Sequence, residues 1–344
     1  MTPPKTTDLE LPTAPASLSV LTEPALRPLS QSSAGVLGAE RSPVKIPHSD
    51  FTIQPNVPLA RYTSYRVGGP AEWFSMPRNL QELQMSVAWA KDHSIPVTLL
   101  GAGSNLLVSD RGLPGLVICT RHLRHIEFDD KLAQVTVAAG EPLPSLAWKV
   151  AERGWSGMEW AVGIPGNVGG AVVMNAGAHR SSTADVLLQT HVLALDGEQS
   201  ILRPEELGYA YRTSSLQKTR DRLVTQATFQ LQPGHDPETV MARTRTHQEH
   251  RHRTQPYHMP SCGSVFRNPG TQAAGWLIEQ TGLKGYSIGD AQVAHRHANF
   301  ILNCGRATAS DILRLIRHVQ TEVDHRWNLL LEPEVKVIGE FEFI

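Results

Sequence analysis

The 344-residue chain is poor in cysteine, with only Cys119, Cys262 and Cys304, widely spaced and without a CxxC pair. That excludes a disulfide framework and a thiolate zinc site, and it suits a reducing cytosol. An excess of either charge is missing as well. The net charge is -1 with an isoelectric point near 7, which argues against non-specific attraction to nucleic acid or to an anionic membrane. No run reaches the roughly 18 uncharged apolar residues that a membrane helix needs. Residues 1 to about 48 contain no aromatic side chain and are rich in Pro, Ser, Thr and Ala, so a disordered tail is expected there. This stretch also lacks the basic start and apolar core of a secretory signal. With 40% hydrophobic residues, the remainder can bury a sizeable core, and two or three domains are expected.

Glycine is plentiful where charge is scarce. In Gly163-Ile-Pro-Gly166-Asn167-Val-Gly169-Gly170, glycines allow backbone N–H groups to approach a ligand with no Cβ in the way, as an anion cradle requires. The apolar run Ala171–Met174 reads as a strand or a short buried segment, and Asn175-Ala176-Gly177 closes it with turn chemistry. One such loop could equally be a plain connection between core strands. A second loop, Gly101-Ala102-Gly103-Ser104-Asn105-Leu106, lies between two apolar runs. Two phosphate-type loops in one domain fit a single extended diphosphate ligand better than two unrelated turns. Neither is the nicotinamide fingerprint, because Gly101-x-Gly103 lacks the third glycine and leads into Leu-Leu-Val instead of a helix. No Gly-Lys-Ser/Thr follows either cluster, which excludes a Walker loop.

Along the chain, order is expected from about Phe51. Asn79 with Glu82 three residues on has a capping-box spacing for a helix through about His93, with Leu80, Leu83, Val87 and Ala90 packed on a sheet. A strand over residues 95–100 follows, giving a β-α-β start. The basic turn Arg121–His125 reads as a solvated loop. Strand 134–140 and helix 144–153 lead into the central glycine loop, and Leu195-Asp-Gly-Glu198 reads as a hairpin turn. Mixed strands and helices with cofactor loops at strand ends point to an α+β flavin-type domain. Tyr211-Arg212 sits among aromatics and hydroxyls, where an arginine could grip a carboxylate or phosphate or simply serve a surface ion pair.

Beyond about residue 234 the sequence predicts a helix from Asp236 to about Arg253, carrying His247, His250 and His252 among arginines. With no cysteine or carboxylate ligand set beside them, these histidines read as a solvated face, and no metal is assigned. Pro260–Pro269 is turn-rich, and Ser264 lies outside any G-x-S-x-G elbow, so its hydroxyl suits proton transfer better than acyl chemistry. A helix over 271–280, a strand over 297–303 and a long amphipathic helix capped by Thr308 are expected next. Glu334 stands at the mouth of a terminal strand, as a solvated charge or as a functional acid.

Seven motifs in order resemble those of UDP-N-acetylenolpyruvoylglucosamine reductases, also called UDP-N-acetylmuramate dehydrogenases. They are Thr63–Ala71, Gly101–Val108, Gly163–Gly170 with Met174–Gly177, Tyr211-Arg212-x-Ser214, Gly263–Pro269, His297–Ile301 and Leu331–Val335. The resemblance implies an α+β chain with a two-subdomain FAD-binding domain of the vanillyl-alcohol-oxidase (PCMH) type over residues 49–233. A smaller α+β substrate-binding domain over 234–344 would follow. It implies non-covalent FAD, NADPH as hydride donor, and reduction of the enolpyruvyl ether of UDP-N-acetylglucosamine to UDP-N-acetylmuramate for peptidoglycan in the cytoplasm. A small-molecule substrate, no nucleic acid or membrane partner, and compatibility with a monomer go with it. By motif match Ser264 is the proton donor, and Arg212 and Glu334 are the other catalytic positions. The same match makes Gly101–Leu106, Gly163, Gly166, Asn167, Gly169, Gly170 and Asn175–Gly177 cofactor-binding, and Tyr211, Arg267 and Asn268 substrate-binding. Arg267 stands where the family often has lysine, and Leu216 where an aromatic is common. The short interval from Arg212 to Ser264 resembles the compact form of the family, without a tyrosine-bearing capping loop. An FAD-linked alcohol or sugar oxidase of the same fold is the alternative, although the glycine loops offer no histidine or cysteine to tether a flavin.

Overall fold

The computed structural model describes residues 41–270 and 272–342. The first forty residues of the expected tail lie outside these. The last eight, 41–48, are described and include strand β1 (Val44–Lys45), which pairs antiparallel with β2 (Thr52–Pro58). Strand pairing therefore starts before the expected Phe51.

The first layer is a five-stranded sheet of order β1-β2-β3-β6-β4. Strands β3 (Pro70–Ser75) and β4 (Val97–Leu100) are joined by helix α1 (Leu80–Asp92). After β5 (Leu106–Val108), strand β6 (Leu113–Cys119) inserts between β3 and β4, parallel to both. Asn79 caps α1 by accepting from the Glu82 N–H at 2.9 Å, but the Glu82 carboxylate takes the N–H of Arg78, one residue before the box position. Leu83, Val87 and Ala90 are buried against the sheet as expected, whereas Leu80 is 40% exposed. Leu80 is the first helical residue and lies at the edge of the apolar face.

Strands β7 (Ile126–Asp129) and β8 (Gln134–Ala138) open a second five-stranded sheet. Helix α2 (Leu143–Ala151), helix α3 (Val168–Met174) and the two-residue strands β9 (Gly177–Ala178) and β10 (Ser181–Ser182) follow. Strands β11 (Leu187–Ala194) and β12 (Gln199–Leu202) form the expected hairpin. Helix α4 (Ser215–Thr219) precedes β13 (Arg222–Gln230), which completes the order β12-β11-β13-β8-β7. Residues 171–174, expected as a strand or short buried segment, are the last turn of α3. Asn167 caps that helix, and the left-handed backbone of Asn175 (φ 43°) ends it. Helix α5 (Pro237–Thr254) packs on α2 and on the 3-10 helix Glu159–Gly163, although the expected domain boundary at 233/234 falls before it.

The last part holds helix α6 (Ala274–Gln280), β14 (Ser287–Ile288), β15 (Ala291–Val293), β16 (Ile301–Asn303), α7 (Ala309–Trp327) and β17 (Lys336–Ile338). Thr308 and Asp311 form a capping box for α7. Ile312, Leu315, Ile316, Val319 and Val323 are buried along one face, each contributing about 1.5–3 kcal/mol of hydrophobic burial. The strand expected over 297–303 is confined to its last three residues. Residues 297–300 instead form a turn closed by the Phe300 N–H on the His297 carbonyl. There the Asn299 amide mimics a strand partner, accepting from the Phe266 N–H at 2.9 Å and donating to the Phe266 carbonyl at 2.8 Å. Finally β17 pairs in parallel with β5, Lys336 opposite Leu106, so the last strand is stitched to the segment that follows the first glycine loop.

Candidate functional site

The two glycine loops lie side by side. The Ser104 hydroxyl donates to the Pro165 carbonyl at 2.8 Å, and a Cβ on Gly101 would lie 2.7 Å from Asn167 Oδ1. At Gly103 (φ +67°) a Cβ would strike the Tyr62 carbonyl at 2.0 Å, so the first loop requires glycine for its approach to the neighbouring chain. Gly169 packs in the same way, with its Cβ position 2.9 Å from Ala139 Cβ. Among the described residues, the N–H groups of Ala102, Gly103, Ser104, Asn105, Gly166 and Asn167 have no protein acceptor. A row of free backbone donors in two adjoining loops fits the diphosphate of a dinucleotide, since such donors otherwise require water or a ligand. Asn167 is spoken for on its side chain: Oδ1 caps α3 through the Gly170 N–H at 3.1 Å, and Nδ2 donates to Thr120 Oγ1 at 3.3 Å.

Arg121, expected in a solvated loop, fastens the first loop instead. Its Nη2 donates to the Tyr62 carbonyl at 2.7 Å and the Ala102 carbonyl at 2.6 Å. The basic run Arg121–His125 gave no sign of this, because the receiving carbonyls belong to remote loops.

Asn175, Ala176 and Gly177 tie the second loop to the segment that carries Arg212. Asn175 donates to the Ala210 carbonyl at 3.1 Å and accepts from the Ala184 N–H at 3.0 Å. The Ala176 carbonyl takes the Thr183 hydroxyl at 3.1 Å, and the Gly177 carbonyl takes Arg212 Nη2 at 2.6 Å. Arg212 Nε then donates to Glu334 Oε1 at 3.0 Å, with the two side chains only 21% and 16% exposed. Sequence motifs 122 residues apart thus meet in one ion pair. Burial pushes the Glu334 carboxyl above the usual carboxylate range, against the downward pull of Arg212, Arg267 and Lys336. The first glycine loop reaches the same residue, for Asn105 Nδ2 donates to the Glu334 carbonyl at 3.2 Å.

Ser264 lies on the strand-like segment that holds Glu334. The Glu334 N–H donates to the carbonyl of the next residue, Val265, at 2.7 Å, and the Arg267 N–H donates to the Glu332 carbonyl at 2.9 Å. Ser264 is half-buried, and its hydroxyl has no protein hydrogen bond among the described residues. Arg267 bridges the halves of the site, with Nη2 on the Arg212 carbonyl at 3.2 Å and Nη1 against Glu332 at 3.1 Å, while its buried Nε lacks a partner. The exposed Asn268 uses its carbonyl oxygen to accept from the Ala274 N–H at 3.0 Å, which starts α6. Tyr211 is 54% exposed, with the Arg212 guanidinium carbon 5.0 Å from its ring centre.

A cleft of about 690 Å³ opens beside Gly177, lined by Ala178, His179, His250, Arg251, Arg253 and Arg296 among others. No carboxylate lines it among the described residues. Arg251 Nε donates to the Tyr257 hydroxyl at 2.9 Å, which donates in turn to the Gly163 carbonyl at 2.7 Å, so the cleft is joined to the second glycine loop. Gly163 is pressed against Arg251, whose Cδ lies 2.2 Å from the Cβ position. His179 stacks on His247 at 4.0 Å. Burial first, and then neighbouring positive charge, hold His179 below the usual histidine value. Of the histidines flagged by the sequence, His250 and His252 are exposed as expected, His250 lining the cleft, while His247 is half-buried against His179.

Comparison with known proteins shows the family. A family model described as "FAD binding domain" matches residues 71–203, and one described as "UDP-N-acetylenolpyruvoylglucosamine reductase, C-terminal domain" matches 255–338. The UDP-N-acetylenolpyruvoylglucosamine reductase of Nostoc punctiforme is 62% identical over 299 residues, covering 87% of this chain and 90% of the relative. That of Acaryochloris marina is 59% identical over 296 residues, covering 86% and 96%. The crystal structure of UDP-N-acetylenolpyruvylglucosamine reductase from Thermus caldophilus is 38% identical, with a TM-score of 0.71, covering 83% of this chain and 98% of that one. These relatives are reductases, and they do not favour the oxidase alternative.

Proposed function

Since this chain belongs to the UDP-N-acetylenolpyruvoylglucosamine reductase family, we propose that Arg212, Glu334 and Ser264 carry its chemistry at the meeting point of the two glycine loops and the last strand. The protein is an FAD-binding, NADPH-dependent oxidoreductase that converts UDP-N-acetyl-3-O-(1-carboxyvinyl)-glucosamine to UDP-N-acetylmuramate for peptidoglycan. The FAD-binding domain is taken as residues 49–233 and the substrate-binding domain as 234–344.

The FAD would be held without a covalent bond by the free N–H groups of residues 102–105 and 166–167, with Asn175–Gly177 bracing the second loop. Bound FAD supplies two-electron chemistry, accepting reducing equivalents from NADPH and delivering them to the enolpyruvyl double bond. Reduction of that bond builds negative charge that spreads into the neighbouring carboxylate. Arg212 offsets it, because its Nη1 group has no protein acceptor among the described residues and remains available to an anion. The Ser264 hydroxyl gives its proton to the adjacent carbon. Serine is a weak acid, and the basicity of the developing enolate drives the transfer. An ionised carboxylate at Glu334 would repel the substrate's own. Burial favours the neutral acid and the substrate's like charge adds to it, so a Glu334 protonated in the reacting complex would leave the guanidinium to the substrate. Tyr211, Arg267 and Asn268 flank the substrate, and the cationic cleft beside Gly177 receives its diphosphate.

One observation carries this reading: the Arg212–Glu334 pair is bonded to both glycine loops at once, through Gly177 and Asn105. Ser264→Ala tests it. The variant is expected to bind flavin normally and lose turnover, and unimpaired turnover would refute the role given to Ser264. The unpaired cysteines fit a cytoplasmic site of action, and the residues assigned here come from one chain, so a monomer suffices.

A further inference from the structure

We infer that Gln217 is a positioning residue for Arg212, fixing the backbone of the catalytic arginine in the one conformation that aims its guanidinium at Glu334. The inference rests on Arg212 meeting the substrate carboxylate, as proposed above.

Arg212 has φ +56°, in the left-handed region that a side-chain-bearing residue enters only when its surroundings hold it there. The turn around it is weakly closed, by long reciprocal bonds between Ala210 and Thr213 at 3.3 and 3.2 Å. What fixes the residue is its own carbonyl, which accepts from Gln217 Nε2 at 3.0 Å and from Arg267 Nη2 at 3.2 Å. The same Gln217 Nε2 donates its other hydrogen to the Val173 carbonyl at 3.0 Å. Both neighbours of that amide nitrogen are acceptors, so only the amino group of the side chain can face them.

Val173 belongs to the last turn of α3, whose carbonyls have no partner within the helix. Ser214 Oγ also donates to Val173 O, at 2.6 Å, and the Tyr209 hydroxyl to Val172 O at 3.0 Å. Gln217 is therefore a bridge from the helix that follows the second glycine loop to the catalytic arginine. It sits on α4, which spans only Ser215–Thr219 and is anchored by the buried Leu216. With the bridge removed, the Arg212 carbonyl keeps only the longer bond from Arg267, the left-handed peptide is held less firmly, and the guanidinium is displaced from Glu334 and Gly177.

The experiment uses full-length, flavin-loaded protein under nitrogen, with flavin reduction by NADPH and reoxidation by the enolpyruvyl substrate timed separately. Gln217→Leu, which keeps the bulk and removes both donors, is expected to retain its flavin and the wild-type reduction rate. Its reoxidation is expected to slow on the order of 10- to 100-fold, as for a reacting group displaced by about an ångström. Gln217→Glu should be equally slow near pH 8, where an acceptor-only carboxylate faces two carbonyls. Relative to the wild type at the same pH, it should recover as pH is lowered and the protonated acid regains a donor. A merely structural role would slow both half-reactions together, lower the melting temperature and show no such recovery. That outcome, or wild-type reoxidation in both variants, would overturn the inference. Arg212→Lys separates the two levels. If it reoxidises normally, the role of Arg212 fails and this inference with it; if it is slow while Gln217→Leu is normal, only the positioning role fails.

Discussion

Replacing Gly101 by alanine tests whether the two glycine loops form one cradle. The new Cβ would lie 2.7 Å from Oδ1 and 3.1 Å from Nδ2 of Asn167. The amide has to move by several tenths of an ångström, and it is not free to do so. Asn167 is 3% exposed, its Oδ1 caps α3 through the Gly170 N–H, and its Nδ2 donates to Thr120. Losing an N-cap costs about 0.5–2 kcal/mol, and a buried neutral hydrogen bond contributes about 1 kcal/mol more. The variant should lose roughly 1–3 kcal/mol, seen as a melting temperature lower by several degrees and as weaker flavin retention in a fluorescence titration of the apoprotein. A double-mutant cycle identifies the cause. Asn167→Ala removes both the cap and the obstacle, so adding Gly101→Ala to it should cost almost nothing further. Additive losses in the double variant would show that Gly101 matters for a reason other than contact with the second loop.

Three further outcomes are expected. If Glu334 acts as a neutral acid, turnover should fall as pH rises through its burial-raised pKa, and Glu334→Gln should remove that limb of the pH–rate profile; an unchanged profile refutes the assignment. Arg121→Ala, which releases the carbonyls of Tyr62 and Ala102, should weaken flavin binding about 10- to 100-fold, given about 1.5–3 kcal/mol for a charged hydrogen bond; an unchanged dissociation constant refutes its role in the first loop. In the cationic cleft His179 and His297, and His247 stacked against His179, are held below the usual histidine value, by burial first. An anion entering the cleft favours their protonated forms, so inhibition by pyrophosphate should tighten as pH falls through and below the usual histidine value. His179→Gln should flatten that dependence, and pH-independent inhibition would refute a part for these histidines in holding the anion.

Local signals in the sequence located much of this. Thr308 with Asp311 and the apolar spacing from Ile312 to Val323 describe α7 because caps and periodicity act within a few residues. The two glycine loops were legible for the same reason, and Arg212, Ser264 and Glu334 were reached through their motifs. Over Ala171–Met174 the strand alternative fails and the short buried segment stands, as a helix that was not named because seven residues give too few turns for a period to stand out. Its available signal was Asn167, three residues before the Gly170 N–H that it caps. Arg121, Gln217 and the cleft histidines were missed or taken for solvated groups. Their partners are carbonyls and rings distant in sequence, such as Tyr62, Val173 and His179, and no short-range pattern encodes those meetings.

The proposed route of electrons from NADPH leaves this protein by way of an enolpyruvyl ether held at Arg212, Glu334 and Ser264. Its most direct test is the visible spectrum of the purified protein under nitrogen, first with one equivalent of NADPH and then with UDP-N-acetylenolpyruvoylglucosamine. The flavin band should bleach on the first addition and return on the second, with UDP-N-acetylmuramate formed in equal amount. A band that stays bleached until air is admitted would contradict the account.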